Sequence, residues 1–355
     1  MTGDGYSVGV VGCGGMGRAH ASAYREHDRT EVVAAADVSD ETRAAFAEEF
    51  GVDRTYGDHA AMLAEADLDV VSVCTWHSTH AEIVVDAAEA GVAGVYCEKP
   101  MATSAGETAD MLDAADRNGT KLTVGHQRRF DPVHETARDL IARGEIGEPR
   151  TVTGRQSGGL LNWGTHVIDM ARFLLGDPGY EWVMGQVERR TDRHERALAI
   201  EDRCLGHVCF DDGTRLTYES DMPDPEVGDS TIQVSGTEGV LDVHLGSKVT
   251  VTNADGTTEH APEAEAGNRA RYLDAFVAWL DGDRDDHRCS GERAGGVMEV
   301  MMALYESART RGVVEAPLET RANPLRVMIE EGDLPVEHPG AYDIRLPYAS
   351  VRREE

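Results

Sequence analysis

The chain has 355 residues, 41% of them apolar, and carries 34 basic against 65 acidic side chains for a formal charge of −31. It is long enough for two domains with sizeable cores and too apolar to be disordered. A chain this acidic is repelled by phosphate backbones and anionic lipid, and no apolar run nears the roughly 18 residues of a membrane span, so nucleic-acid and membrane partners are excluded.

Strand and helix signals alternate from the start. Val8 to Val11 is a short apolar run, followed by a glycine-rich turn and a helix from about Met16 to Glu26. Val32 to Ala36 is the next strand. Ser39 caps a helix with Asp40 and Glu41 in its first turn and Gly51 just beyond its end. Val70 to Cys74 follows as a strand, and Thr79 with Glu82 forms a capping box opening a helix that stops at Gly91. Gly94 to Cys97 is a strand, Ser104 and Glu107 repeat the box, and Leu122 to Val124 closes the series. Near-continuous apolar strands between amphipathic helices predict a doubly wound parallel sheet, an α/β domain over residues 1–125.

Beyond about residue 149 the pattern changes. A helix from Thr165 to Leu175 precedes strand-like runs at Glu181–Arg189, Cys204–Phe210, Arg215–Glu219, Thr231–Ser235, Val240–Val243 and Lys248–Thr252. Asp212-Gly213 and Gly236 to Gly239 are turn signals. Strands in succession predict an antiparallel sheet in an α+β domain over 126–315, closed by helices near Asn268–Leu280 and Glu292–Thr310. Residues 316–355 are a proline-punctuated extension that wraps either a domain or a partner subunit.

Three segments carry chemistry. In Gly12-Cys13-Gly14-Gly15-Met16-Gly17 a glycine fingerprint follows a strand, opens a helix, and has an acid, Asp37, at the end of the next strand. Gly12 permits the tight turn, Gly14 lets a pyrophosphate approach the backbone, and Gly17 lets the helix pack on the sheet. Asp37 accepts from both ribose hydroxyls and repels a 2′-phosphate, which favours NAD over NADP. Arg43 could compensate by reaching the 2′ position, but is expected on the exposed face of its helix. The second segment, Glu98-Lys99-Pro100, ends a parallel strand, where an ammonium can steady charge on a substrate oxygen. The third runs from Gly158-Gly159 through Asn162, Trp163 and His166 to Asp169. Asn162 and His166 share a helix face, and a histidine suits proton transfer to or from a hydroxyl.

Composition adds two expectations. Lys99, Lys121 and Lys248 are the only lysines; the other 31 basic residues are arginine. Many carboxylates with almost no lysine suggest a halophilic protein kept soluble in concentrated salt. A GC-rich genome would explain the arginines but not the acids. Six cysteines without C-x-x-C or zinc spacing predict reduced, mostly buried thiols and no metal site. Met1 to Tyr6 lack the features of a signal peptide, so a cytoplasmic location is expected.

Taken together these segments resemble the Gfo/Idh/MocA oxidoreductases over roughly residues 6–318. The resemblance rests on the glycine fingerprint, Cys74-Thr75…His80, Glu98-Lys99-Pro100, Gly125-His126-Gln127-Arg128-Arg129-Phe130, Gly158-Gly159…Gly164-Thr165-His166-Val167-Ile168-Asp169, Glu201-Asp202 and Tyr305-Glu306-Ser307-Ala308. It implies a Rossmann domain plus a domain with an open, mostly antiparallel sheet used for homodimer or homotetramer formation. The implied activity is NAD(P)-dependent hydride transfer with a sugar, polyol or inositol. By the same resemblance Lys99 is the catalytic lysine and His166 the acid/base histidine, with the substrate hydroxyl between them. Gly12, Gly14, Gly15, Met16, Gly17, Asp37, Arg43, Thr75, Trp76, His80 and Glu98 face the cofactor. His126, Arg128, Asn162 and Trp163 hold the substrate's other hydroxyls, while Arg128 or Arg129 instead binds an anionic group or forms a structural ion pair.

The chain departs from that pattern twice. Asn162 stands where an aspartate is usual, so His166 works without that carboxylate or with help from Asp169. Trp76 replaces a common proline and offers a face to a sugar ring. Two other functions fit the same fold: a cofactor-binding sensor that has lost its chemistry, and a glycoside-cleaving relative that uses NAD transiently.

Overall fold

The computed structural model describes residues 5–220, 230–263 and 266–340. Two compact units divide the chain: one of residues 1–103, 107–130 and 265–295, the other of 104–106, 131–264 and 296–355. The first unit thus holds a late stretch, 265–295, that a linear division at 125 assigns to the second domain. Residues 341–355 of the C-terminal extension lie outside the described residues.

In the first unit, six parallel strands lie in the order β3-β2-β1-β4-β5-β6. They are β1 (Tyr6–Val11), β2 (Thr30–Ala36), β3 (Arg54–Tyr56), β4 (Val70–Val73), β5 (Gly94–Cys97) and β6 (Lys121–Val124), connected by α1 (Gly15–Glu26), α2 (Asp40–Phe50), α3 (His59–Glu65), α4 (His80–Glu89) and α5 (Ala105–Asn118). Every residue of β4 and β5 is buried, as a sheet covered on both faces requires. The Ser39 hydroxyl accepts from the Thr42 N–H at 3.2 Å, and Gly51 ends α2 at φ +70°, both as expected.

Two expected capping boxes differ. Thr79 gives its hydroxyl to Thr75 Oγ1 and the Trp76 carbonyl, because a short 3₁₀ turn (His77–Thr79) precedes α4. Glu107 reaches back to the N–H and hydroxyl of Thr103, both at 2.7 Å, one residue before Ser104.

The second unit opens with α6 (Pro132–Ala142) and centres on a nine-stranded sheet. In chain order its parts are β7 (Pro149–Gln156), a π-helical turn (Leu160–Gly164), α7 (Thr165–Leu175), β8 (Tyr180–Glu188), a two-stranded ribbon of β9 (His194–Glu195) and β10 (Leu198–Ala199), β11 (Arg203–Phe210), β12 (Arg215–Glu219), β13 (Ser230–Gly236), β14 (Gly239–His244), β15 (Lys248–Asn253) and β16 (Gly256–His260). Further along the chain come α8 (Asn268–Asp281), which is part of the first unit, then α9 (Gly291–Thr310), β17 (Val314–Glu315) and α10 (Pro324–Glu331). The sheet runs β16-β15-β14-β13-β7-β12-β11-β8-β17, antiparallel except where β12 meets β7. Its alternating burial shows one covered face and one open face.

Helix α8 belongs with the first unit for a visible reason. The Tyr272 ring stacks on Tyr96 of β5 with centroids 4.3 Å apart, and its hydroxyl donates to the Val124 carbonyl at 3.0 Å. Phe276, Leu273 and Tyr272 complete the core begun by Val8, Val10, Tyr24 and Tyr96.

Candidate active site

The order 3-2-1-4-5-6 reverses between β1 and β4, and groups at the C-terminal strand ends beside that reversal face a common crevice. Gly12 sits there at φ +94°, so close to the end of β4 that a Cβ would lie 2.8 Å from the Cys74 carbonyl group and 2.9 Å from the Thr75 nitrogen. A Cβ on Gly17 would lie 1.9 Å from the Gly12 oxygen, which is how the helix packs onto its own turn. Gly14 and Gly15 differ: a Cβ on either would meet nothing within 4 Å. The start of α1 is therefore an open cradle whose N–H groups and positive dipole end can take a pyrophosphate. Met16 is half-buried beside it. These residues fit a dinucleotide.

Asp37 ends β2 with each carboxylate oxygen on a backbone N–H, Oδ2 on Cys13 and Oδ1 on Ser39, both at 2.8 Å. Each oxygen keeps a lone pair for a ribose hydroxyl. Arg43 does not lie on the exposed face of α2. Its guanidinium turns back to the Asp37 carbonyl at 2.6 Å and to Asp40 at 2.5 Å, with the side chain 18% exposed.

Lys99 follows β5, half-buried, with a cis peptide to Pro100. Its N–H donates to Glu98 Oε2 at 3.2 Å. Glu98 is buried, and its Oε1 lies 3.0 Å from His20 Nε2 on α1. His20 Nδ1 in turn lies 2.7 Å from the Ser72 hydroxyl. Burial alone would push the Glu98 carboxyl up; the hydrogen bond and attraction of His20, together with Lys99, outweigh it and hold the pKa at about 2. Gly125 is needed here, since a Cβ would lie 3.0 Å from that carboxylate. His20 is a residue sequence reasoning missed: nothing local links it to a carboxylate 78 positions away.

The remaining first-unit candidates separate. Trp76 is 46% exposed at the end of β4, next to Thr75. His80 is buried, its ring nitrogens 2.9 Å from the Pro100 carbonyl and 3.1 Å from the Thr75 carbonyl, so it ties the two loops together. His126 is buried after β6, and Arg128 is half-buried on the 3₁₀ turn Gln127–Phe130. Arg129 is fully buried and donates to the Arg288 carbonyl at 2.9 Å. His59, Glu82 and Asp86 also come together, and His59 with Asp86 hydrogen-bonds at 2.8 Å.

In the second unit the π turn carries Asn162 and Trp163 and leads directly into the α7 residue His166. Such wide turns are frequent at functional sites. The glycines around it are fitted: a Cβ on Gly158 would lie 2.6 Å from the Trp163 ring, and one on Gly164 2.6 Å from both Leu160 and the Tyr218 hydroxyl. Glu201, fully buried, accepts from the Leu160 N–H at 2.6 Å and from the Tyr305 hydroxyl at 2.7 Å. Burial raises its carboxyl above the usual range despite these two bonds. Asn162 is buried and donates to Glu195, a second residue missed in sequence. His166 is half-buried, and Asp169 is buried one turn further along α7.

An open glycine cradle with an acid at the end of the next strand, and a lysine on the same sheet edge, define a nicotinamide-dinucleotide oxidoreductase. Residues 6–126 match the family model described as an oxidoreductase family, NAD-binding Rossmann fold, and residues 138–316 its C-terminal alpha/beta domain. The chain belongs to the Gfo/Idh/MocA family and is an NAD(P)-dependent oxidoreductase. It is similar to an inositol 2-dehydrogenase of Rhizobium meliloti, 37% identical over 290 residues covering 76% of this chain and 84% of the relative. A D-xylose 1-dehydrogenase (NADP(+)) of Haloferax volcanii is 27% identical over 332 residues, 86% of this chain and 98% of the relative. A levoglucosan dehydrogenase solved with NADH and levoglucosan shares the fold at TM-score 0.78 and 24% identity, covering 88% of this chain and 99% of that one.

Proposed function

We propose that this protein is a sugar, polyol or inositol dehydrogenase that uses NAD in preference to NADP. The observation that carries the chemistry is Lys99, held at the sheet edge that bears the glycine cradle by an ionised, buried Glu98. NAD bound along Gly12 to Gly17 supplies the hydride acceptor. His166 takes the proton of the reacting hydroxyl, and the Lys99 ammonium hydrogen-bonds its oxygen and stabilises the developing negative charge. Asn162 and Trp163, with Arg128 and His126, orient the remaining hydroxyls. Thr75, Trp76 and Met16 line the cofactor's path, and His80 acts by fixing the loops on which Thr75 and Pro100 lie. The preference for NAD rests on Asp37 and on Arg43, whose guanidinium is turned to the Asp37 carbonyl and Asp40.

The open sheet face, with Met184 48% and Leu205 54% exposed, is where a homodimer or homotetramer forms in this reading. The charge of −31 with three lysines suits concentrated salt and the cytoplasm of a halophile; unfolding no easier at low salt than in molar KCl would refute this. Among the described residues no helix is long and apolar enough to cross a membrane.

The test of the main reading is absorbance at 340 nm with NAD and then NADP against aldoses, polyols, inositols and uronates in molar KCl. Turnover of one member with NAD is expected. Silence across the panel with NAD still bound would replace this reading with the sensor or the glycoside-cleaving one, and glycoside turnover without net NADH would separate those two.

A further inference from the structure

Asn162 and Glu195 stand 33 positions apart in the sequence and are nearly fully buried, at 3% and 4% exposure. The amide nitrogen of Asn162 donates to Glu195 Oε1. With the amide nitrogen on Glu195, Oδ1 is turned away from it. The supports of the two residues are adjacent in sequence. Glu201 accepts from the N–H of Leu160, the first residue of the π turn that carries Asn162. Asp202 accepts from the N–H groups of Arg190 and Thr191, at the foot of the ribbon that carries Glu195. One Glu-Asp pair therefore anchors both elements whose side chains meet.

We propose that Glu195 is a positioning residue of the substrate site. It locks the Asn162 amide, one helical turn before His166, so that Oδ1 is a fixed acceptor for a hydroxyl donor. The inference rests on the dehydrogenase reading and narrows it. A ligand presenting a hydroxyl at this point is accepted, whereas a carboxylate or phosphate there meets the negative end of a carbonyl dipole. The substrate class is a neutral polyhydroxy compound rather than a uronate or sugar phosphate.

The experiment is an exchange cycle, N162D, E195Q and the double variant, with kcat, KM and melting temperature measured on the neutral sugar or polyol the wild type oxidises. N162D sets two buried carboxylates against each other and is expected to lower kcat on the order of 100-fold, the cost of a misplaced orienting group. In the double variant the pair is restored with its ends exchanged, an amide at position 195 donating to a carboxylate at position 162, and kcat is expected to recover at least tenfold. N162D as active as wild type, or a double variant no faster than N162D while both melt as wild type does, overturns the proposal. Rescue of melting without rescue of kcat also overturns it, since the pair is then a structural contact. A wild type that prefers uronates overturns the substrate class alone. A wild type that turns over nothing on the panel fails the dehydrogenase reading before any variant is compared, and the proposal falls with it.

Discussion

Glu98 in the first unit and Glu201 in the second are both buried beneath a functional loop, yet the two are held in opposite ways. Glu98 faces an imidazole and an ammonium, and its carboxyl is depressed to about 2. Glu201 faces a tyrosine hydroxyl and a backbone N–H, and its carboxyl is raised. Depth of burial is similar; the partners decide. At Glu98 the hydrogen bond and attraction of His20, with Lys99, overcome the cost of desolvating an anion, while at Glu201 two neutral donors at 2.6 and 2.7 Å and a weaker attraction from Arg193 do not. The first arrangement suits a loop that must present a cation, Lys99. The second suits one that must only be held in shape.

The largest way to break this contrast is His20→Ala. It leaves Glu98 buried without its main partner and should cost about 3–5 kcal/mol in urea unfolding, with NAD affinity reduced as the Lys99 loop loosens. The contrast then sharpens with pH. A depressed carboxyl contributes stability that is full above its unfolded value near 4.5 and lost as pH falls toward about 2, so Glu98 accounts for about 3 kcal/mol over that window. Glu201 runs the other way: its contribution is present below its unfolded value and is lost as pH rises through its higher folded value. Acid melting curves of E98Q should therefore be flatter than wild type below pH 4.5, and those of E201Q should differ from wild type mainly above it. A smaller effect is expected for Glu201→Gln at neutral pH. A glutamine turns an N–H₂ toward one of two donors and should cost about 1–3 kcal/mol, with kcat lowered through the π turn. Smallest is Ser72→Ala, which removes the partner of His20 Nδ1 and should cost about 1 kcal/mol by thermal melting. If Ser72→Ala destabilised as much as His20→Ala, the His20–Glu98 pair would not be the source of the effect.

The parts of this molecule written in local pattern are legible in its sequence. Ser39, Gly51 and the glycine turn announce themselves because a cap or a tight turn is decided by neighbours in sequence. Strand β3 does not: it is three residues long, half-exposed, and lacks an apolar run. Helix α6 is masked although Asp131 caps it and Pro132 opens it, because the charged turn before it dominates the local pattern. Strand β7 buries Val152, Gly154 and Gln156, and only one of these is a hydrophobic signal. In the site, the resemblance points to Lys99, His166 and Asn162, and its motifs include the supports Glu98, Glu201 and Tyr305, whereas His20 and Glu195 appear in no motif. His20 and Glu195 act across 78 and 33 residues, and that kind of contact is set by the fold rather than by spacing.

The nucleotide-binding unit takes its last core residues, from Tyr272 and Leu273 through Phe276 to Cys289, from a stretch that follows the whole of residues 131–264. On a ribosome this means that the first domain to emerge cannot finish folding first. The 165 residues between 130 and 295 take roughly 8–33 s to synthesise at about 5–20 residues per second. Until Tyr272 is made, Tyr96 lacks the ring that stacks on it, and a chain cut after residue 130 would keep the glycine fingerprint but not a closed core to carry it.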